Sequence, residues 1–141
     1  MSLDNYLQET GALATLAGIL AGFAISAVIQ LLSTDKPGKL STVTIVVFSG
    51  STVMFVYSLL VFVLLFASAA ESNAIPTALE NFGNFALLII FGAINVFLAG
   101  IGLVGWTRSK TAGIATTILA LITMCLTSFA IISVVTTMSS I

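Results

Sequence analysis

The sequence predicts an all-α fold: a polytopic membrane protein with four transmembrane helices, forming a single domain over residues 1–141. Four apolar stretches, at about 11–33, 42–70, 82–105 and 112–135, cover most of the chain. Each is long enough to cross a hydrocarbon core of about 30 Å, which takes about 20 residues of helix. The four basic and five acidic residues all lie before or between the stretches. Inside lipid every backbone N–H and C=O needs a partner within the segment, so helices are the expected spanning form.

The first stretch follows Asp4 and Glu9, acidic where a secretory leader carries positive charge, and exceeds the length of a leader's apolar region. It is expected to stay in the mature protein. Next comes Ser33-Thr34-Asp35-Lys36-Pro37-Gly38-Lys39, with a Pro-Gly turn and Ser41 as the expected cap of the second helix. Between the second and third stretches lies Glu71-Ser72-Asn73-Ala74-Ile75-Pro76-Thr77. Thr77 and Glu80 have the spacing of a capping box, which predicts that the third helix starts near Thr77. Thr107-Arg108-Ser109-Lys110-Thr111 reads as a tight hairpin with Thr111 as cap. Trp106 and Tyr6 suit the membrane interface, where an amphipathic ring is favoured.

The composition narrows the function. With no His and a single Cys, Cys125, neither haem ligation, a zinc site nor an internal disulfide is expected. No catalytic residues, cofactor or metal are expected, and the short connections leave no room for a soluble catalytic domain. A net charge of −1 without a run of Lys or Arg speaks against nucleic acid as a partner and against an anionic-lipid patch. Lys36, Lys39, Arg108 and Lys110 occupy the first and third connections, while Asp4, Glu9, Glu71 and Glu80 lie at the other side of the spans. The positive-inside rule therefore places both termini outside the cytoplasm.

Polar and small residues inside the spans point to the working surfaces. In the first stretch Ala14, Gly18, Gly22, Ser26 and Gln30 recur at every fourth position, and Gly18 to Gly22 is a GxxxG step. Small residues let helix backbones approach closely in lipid, so Ala14, Gly18 and Gly22 are expected packing positions. Thr15, Ile19, Gly22, Ser26 and Gln30 form an overlapping stripe, with Phe23 beside it. One reading is a packed helix whose Ser26 and Gln30 bond to neighbours. The other is a pore-lining helix repeated around a symmetry axis, with Gln30 at one mouth and Ile19 and Phe23 as an apolar constriction. Asn95 is the most polar residue near the middle of the third stretch and is expected to join helices by hydrogen bonding. Gly92, Gly100, Gly102 and Gly105 give that helix a smooth surface for packing. No carboxylate or basic side chain lies in any span, which speaks against proton-coupled transport.

Four motifs in order resemble the Orai calcium channel family. Leu20-Ala21-Gly22-Phe23-Ala24, onward to Gln30-Leu31, resembles its pore helix. Phe48-Ser49 with Thr52-Val53 resembles the start of the second helix. Phe97-Leu98-Ala99, ending in Trp106 and Arg108, resembles the end of the third, and Ile114-Ala115-Thr116-Thr117-Ile118 the start of the fourth. The resemblance implies a homo-oligomer, hexameric in that family, in the lipid bilayer, with first helices around a central cation pore. It also implies termini in the cytoplasm, opposite to the charge rule.

The departures from that pattern matter. Gln30 stands where the family has its selectivity-filter glutamate, Ser26 at the hydrophobic-gate position, and Thr15 where a basic residue lines the inner pore. Gly22 and Phe23 are retained at the hinge and gate. Ile122 replaces the fourth helix's proline, and the sequence stops without the extension that engages the reticulum calcium sensor. A ring of amides offers dipoles where a ring of carboxylates offers charge, so weak selectivity for calcium is expected. The expected function is an Orai-like cation channel subunit of a prokaryotic-type plasma membrane. The alternative is a non-conducting four-helix accessory or assembly protein. An enzyme is not expected.

Overall fold

A computed structural model describes residues 2–33 and 38–139, and these form four long helices joined by short connections. Helix α1 runs Leu3–Leu32, α2 Lys39–Ser72, α3 Glu80–Arg108 and α4 Lys110–Ser139, with a single 3₁₀ turn at Thr77–Leu79 before α3. All four are long and apolar enough to cross a membrane. The fold is all-α and that of a multi-pass membrane protein. Both prolines, Pro37 and Pro76, lie in connections, so nothing interrupts a helix once it has begun.

Each helix extends past the apolar stretch that announced it. Polarity governs where a helix meets the lipid boundary, whereas backbone continuity requires only that no residue break the turn. Thus α1 begins about two turns before residue 11, with the Ser2 hydroxyl accepting from the Asn5 N–H at 3.3 Å.

The expected caps are all displaced. Gly38, in extended conformation (φ −149°, ψ 155°), holds the N-cap position of α2, so Ser41 falls inside the first turn. Thr77 and Glu80 form no capping box. Behind Pro76 the Thr77 and Leu79 N–H groups are satisfied by the carbonyls of Ile75 and Pro76, both at 2.9 Å; the third span opens at Thr77, as expected, in a 3₁₀ turn that becomes α-helical at Glu80. At the last connection Ser109 takes the role expected of Thr111. Its extended backbone (φ −162°, ψ 160°) separates α3 from α4, and its hydroxyl accepts from the Ala112 N–H at 3.1 Å. The Pro37 turn, with Thr34, Asp35 and Lys36, lies outside the described residues.

Helices adjacent in sequence are adjacent in space: α1 packs on α2, α2 on α3 and α3 on α4. The organising element is α2. Its buried residues are Thr44, Phe48, Ser51, Phe55, Ser58, Phe62, Leu65 and Ala69, an unbroken alternation of four- and three-residue steps. That is the seam of a left-handed coiled coil. Small faces receive its phenylalanines: Ala14, Ala17 and Ala21 from α1, and Ala86 and Ala93 with Ile90 from α3. Lipid tails are as apolar as a side chain, so these helices associate through close contact rather than hydrophobic burial, and pairing large with small residues maximises contact. Phe97 of α3 meets Phe48 and Phe55 edge-on, with ring centroids 5.5 and 6.2 Å away.

The glycines of α3 serve two neighbours. A Cβ on Gly92 would meet Met54, and one on Gly100 would meet Phe48, both on α2. Gly102 and Gly105 face α4 instead. A Cβ on Gly105 would strike the Thr116 hydroxyl and stand 2.6 Å from the Ala112 carbonyl oxygen, so only glycine admits α4 this closely. Gly113 lies directly beneath the Trp106 ring. The indole N–H donates to the Thr117 hydroxyl at 2.9 Å, and the Thr116 hydroxyl reaches the Gly102 carbonyl at 3.1 Å. Beyond Ala120 no described residue of α4 is buried. The helix therefore joins the bundle through its first third.

Candidate pore stripe and membrane groove

Helix α1 carries two faces. The buried one, Thr10, Ala14, Ala17, Ala21 and Ala24, advances in alternating four- and three-residue steps and docks on α2. At 100° per residue, Thr15, Ile19, Gly22, Ser26 and Gln30 centre about 180° from it. All five are exposed, as is Phe23. Ile19 is 54% and Phe23 61% exposed, and a Cβ on Gly22 would meet nothing within 4 Å.

The packing ladder does not lie on a single face. Steps of four residues turn a helix by about 400°, so each rung is rotated about 40° from the last. Ala14 is therefore buried in the bundle, Gly18 sits half-buried beside Leu59 of α2, and Gly22 and Ser26 face away from it. Asn95, expected to join helices, is half-buried and turns back on its own helix: its amide donates to the Phe91 carbonyl at 2.9 Å. Between α2 and α3 it is Ser58 that bonds: its one hydroxyl proton is shared between the Met54 carbonyl of its own helix at 3.0 Å and the Ala86 carbonyl of α3 at 3.3 Å.

The stripe's hydroxyls are oriented by the helix. Thr15 donates to the Gly11 carbonyl and Ser26 to the Gly22 carbonyl, each at 2.9 Å. A hydroxyl has one proton, so an oxygen that donates it along its own helix presents lone pairs to whatever lies beside it. The outward stripe is thus an acceptor surface.

Sequence reading missed a groove of about 490 Å³ beside this stripe. Phe23, Ser26, Ala27 and Gln30 of α1 form one wall; Phe97, Ile101 and Val104 of α3 and Thr116 of α4 form the other, with Phe48 of α2 at its side. A smaller pocket of about 190 Å³ at the opposite end brings Tyr6, Glu9 and Thr10 of α1 to Glu80 and Asn84 of α3. The antiparallel order separates the charges. Lys39, Arg108 and Lys110 lie at the groove's end of the bundle, and Asp4, Glu9, Glu71 and Glu80 at the other. Among the described residues no three His, Cys, Asp or Glu side chains gather into a metal-binding group.

Length, composition and architecture define a multi-pass membrane protein built from an antiparallel helical bundle. Compared with protein-family models, with curated proteins and with solved structures, the chain matches none.

Proposed function

We propose that the chain is a subunit of an Orai-like, homo-oligomeric cation channel, its pore lined by α1 through Thr15, Ile19, Gly22, Phe23, Ser26 and Gln30. One observation carries this reading. The face of α1 opposite its docking seam is a line of small and polar side chains with acceptor oxygens outward. Copies arranged around an axis along that line would surround a path of hydroxyl and amide dipoles, which favours cations over anions. Gln30, two residues before the end of α1, forms the mouth; Ile19 and Phe23 form a constriction that gates by dewetting. With no carboxylate on the stripe, calcium passes among other cations without strong preference. The four motifs resembling Orai support the same assembly, a hexamer in a prokaryotic-type plasma membrane. No catalysis or cofactor enters this account.

A second reading has its own support. Phe23, Ser26 and Gln30 also border the groove with α3 and α4, and a helix of another protein could occupy such a surface. The chain is then a non-conducting accessory or assembly protein. Ion flux into liposomes separates the two. The channel reading expects Gln30→Glu to raise divalent over monovalent permeability, because a carboxylate ring concentrates divalent cations. It expects Phe23→Ser to raise basal flux by wetting the constriction. Wild type and both variants conducting no better than empty liposomes would reject the channel and leave the accessory reading.

A further inference from the structure

The groove between α1 and the α3–α4 hairpin has a chemical direction. Its depth is apolar, with Phe23 on one wall and Phe97 and Ile101 on the other. Moving outward along α3, Phe97, Ile101 and Val104 are followed by Arg108 at the same alternation of four and three residues. Arg108 therefore continues the groove's wall at its mouth, in the last turn of α3. The surroundings reinforce the charge. Among the described residues Lys39, Arg108 and Lys110 lie at this end, and every described Asp and Glu lies at the other. The amino end of α4, the positive end of its dipole, begins two residues after Arg108.

We infer that this groove seats an anionic phospholipid, one acyl chain against Phe23, Phe97 and Ile101 and the headgroup phosphate on the Arg108 guanidinium. The groove spans α1 from Gln30 to Phe23, about 10 Å of helix rise, which runs from the headgroup boundary into the hydrocarbon. A guanidinium donates two parallel N–H bonds to phosphate oxygens, so it recognises the group by geometry as well as charge. A zwitterionic lipid offers the same chains and phosphate but brings a cation to a positive rim. The inference needs only a membrane-embedded bundle; in an assembled pore with Phe23 turned to the axis, the acyl chain rests on Phe97 and Ile101.

Trp106, the single tryptophan, stacks over Gly113 on the α4 side of α3, so the reporter is placed in the groove wall instead, as Ile101→Trp in a Trp106→Phe background. The full-length protein is reconstituted into vesicles of phosphatidylcholine and phosphatidylglycerol, and quenching of that tryptophan is measured with brominated acyl chains on either lipid in turn. At equal mole fraction, brominated phosphatidylglycerol should be favoured about five-fold, the factor expected for one basic residue near an anionic lipid. Arg108→Gln should abolish the preference. Lys39→Gln should preserve it, since Lys39 lies at the same end but about 180° around α2 from Phe48. Equal quenching by the two lipids in the wild type would overturn the inference. So would a preference lost equally in both variants, which would report bulk surface charge rather than a site. A second copy of the chain in the groove is distinguished by Ile101→Cys in a Cys125→Ser background: disulfide-linked dimers would overturn the lipid, and their absence supports it.

Discussion

The two faces of α1 share one periodicity and differ in chemistry. Toward α2 the helix presents Ala14, Ala17, Ala21 and Ala24, and a phenylalanine-rich seam fills the space they leave. On the opposite side Thr15, Gly22, Ser26 and Gln30 are small or polar, Ile19 stands among them, and all five are exposed. Alanine against phenylalanine is a complete solution in lipid, where contact area is the driving force. The outward line shows no such fit within the protomer: its Thr15 and Ser26 hydroxyls bond to their own helix and its side chains are exposed. The contrast separates a surface that builds the subunit from the one that the proposed pore would use.

The largest effect should come from overfilling the first face. Ala21→Phe places a ring where α2 already supplies Phe55, and overpacking of this kind costs roughly 1–3 kcal/mol. Ile19→Phe, on the opposite face, should leave protomer stability unchanged. Unfolding in mixed micelles measures both, and equal destabilisation would erase the distinction between the faces.

Gly22→Leu sharpens the comparison from the other side. The added side chain has open space within the protomer, so the bundle should fold as before. Copies packed along the stripe would be forced apart, and the oligomer mass after detergent extraction should fall. An unchanged mass would remove Gly22 from any interface.

A smaller effect is expected at Ser58, the hydroxyl on the seam that crosses from α2 to α3. Ser58→Ala removes its bond to the Ala86 carbonyl but keeps the volume close, and hydrogen bonds of this type within membranes average about 0.6 kcal/mol. A loss several times larger would mean that the seam depends on polar contacts and not on the alanine–phenylalanine fit.

The number, order and approximate placement of the spans were legible in the sequence because charge is confined to the connections. Helix ends were not, because hydropathy marks the lipid boundary while the turns continue through Leu3–Thr10 without a breaker. Caps were misplaced for a related reason: Gly38 and Ser109 adopt extended backbone earlier than Ser41 and Thr111, and the helix starts where the backbone permits. The α2 seam is written plainly as Thr44, Phe48, Ser51, Phe55, Ser58 and Phe62. It is hard to see because the remaining faces of α2 are apolar too, so periodicity shows little contrast. The stripe on α1 could be read because it is polar against that background. Its fourfold ladder could be misread because four residues overshoot a turn, and Ala14 ends up buried while Ser26 faces away. The groove could not be read at all, since it exists only once α3 and α4 are folded against each other.

The central claim is that the outward stripe of α1 meets water inside an assembled pore. Cysteine scanning along α1, in the Cys125→Ser background and in membranes, tests it most directly with a charged, membrane-impermeant thiol reagent. Thr15, Gly22, Ser26 and Gln30 positions should react, with Ala14, Ala17, Ala21 and Ala24 protected and reactivity following the helical period. Protection of every stripe position, or reactivity that ignores the two faces, would contradict the account.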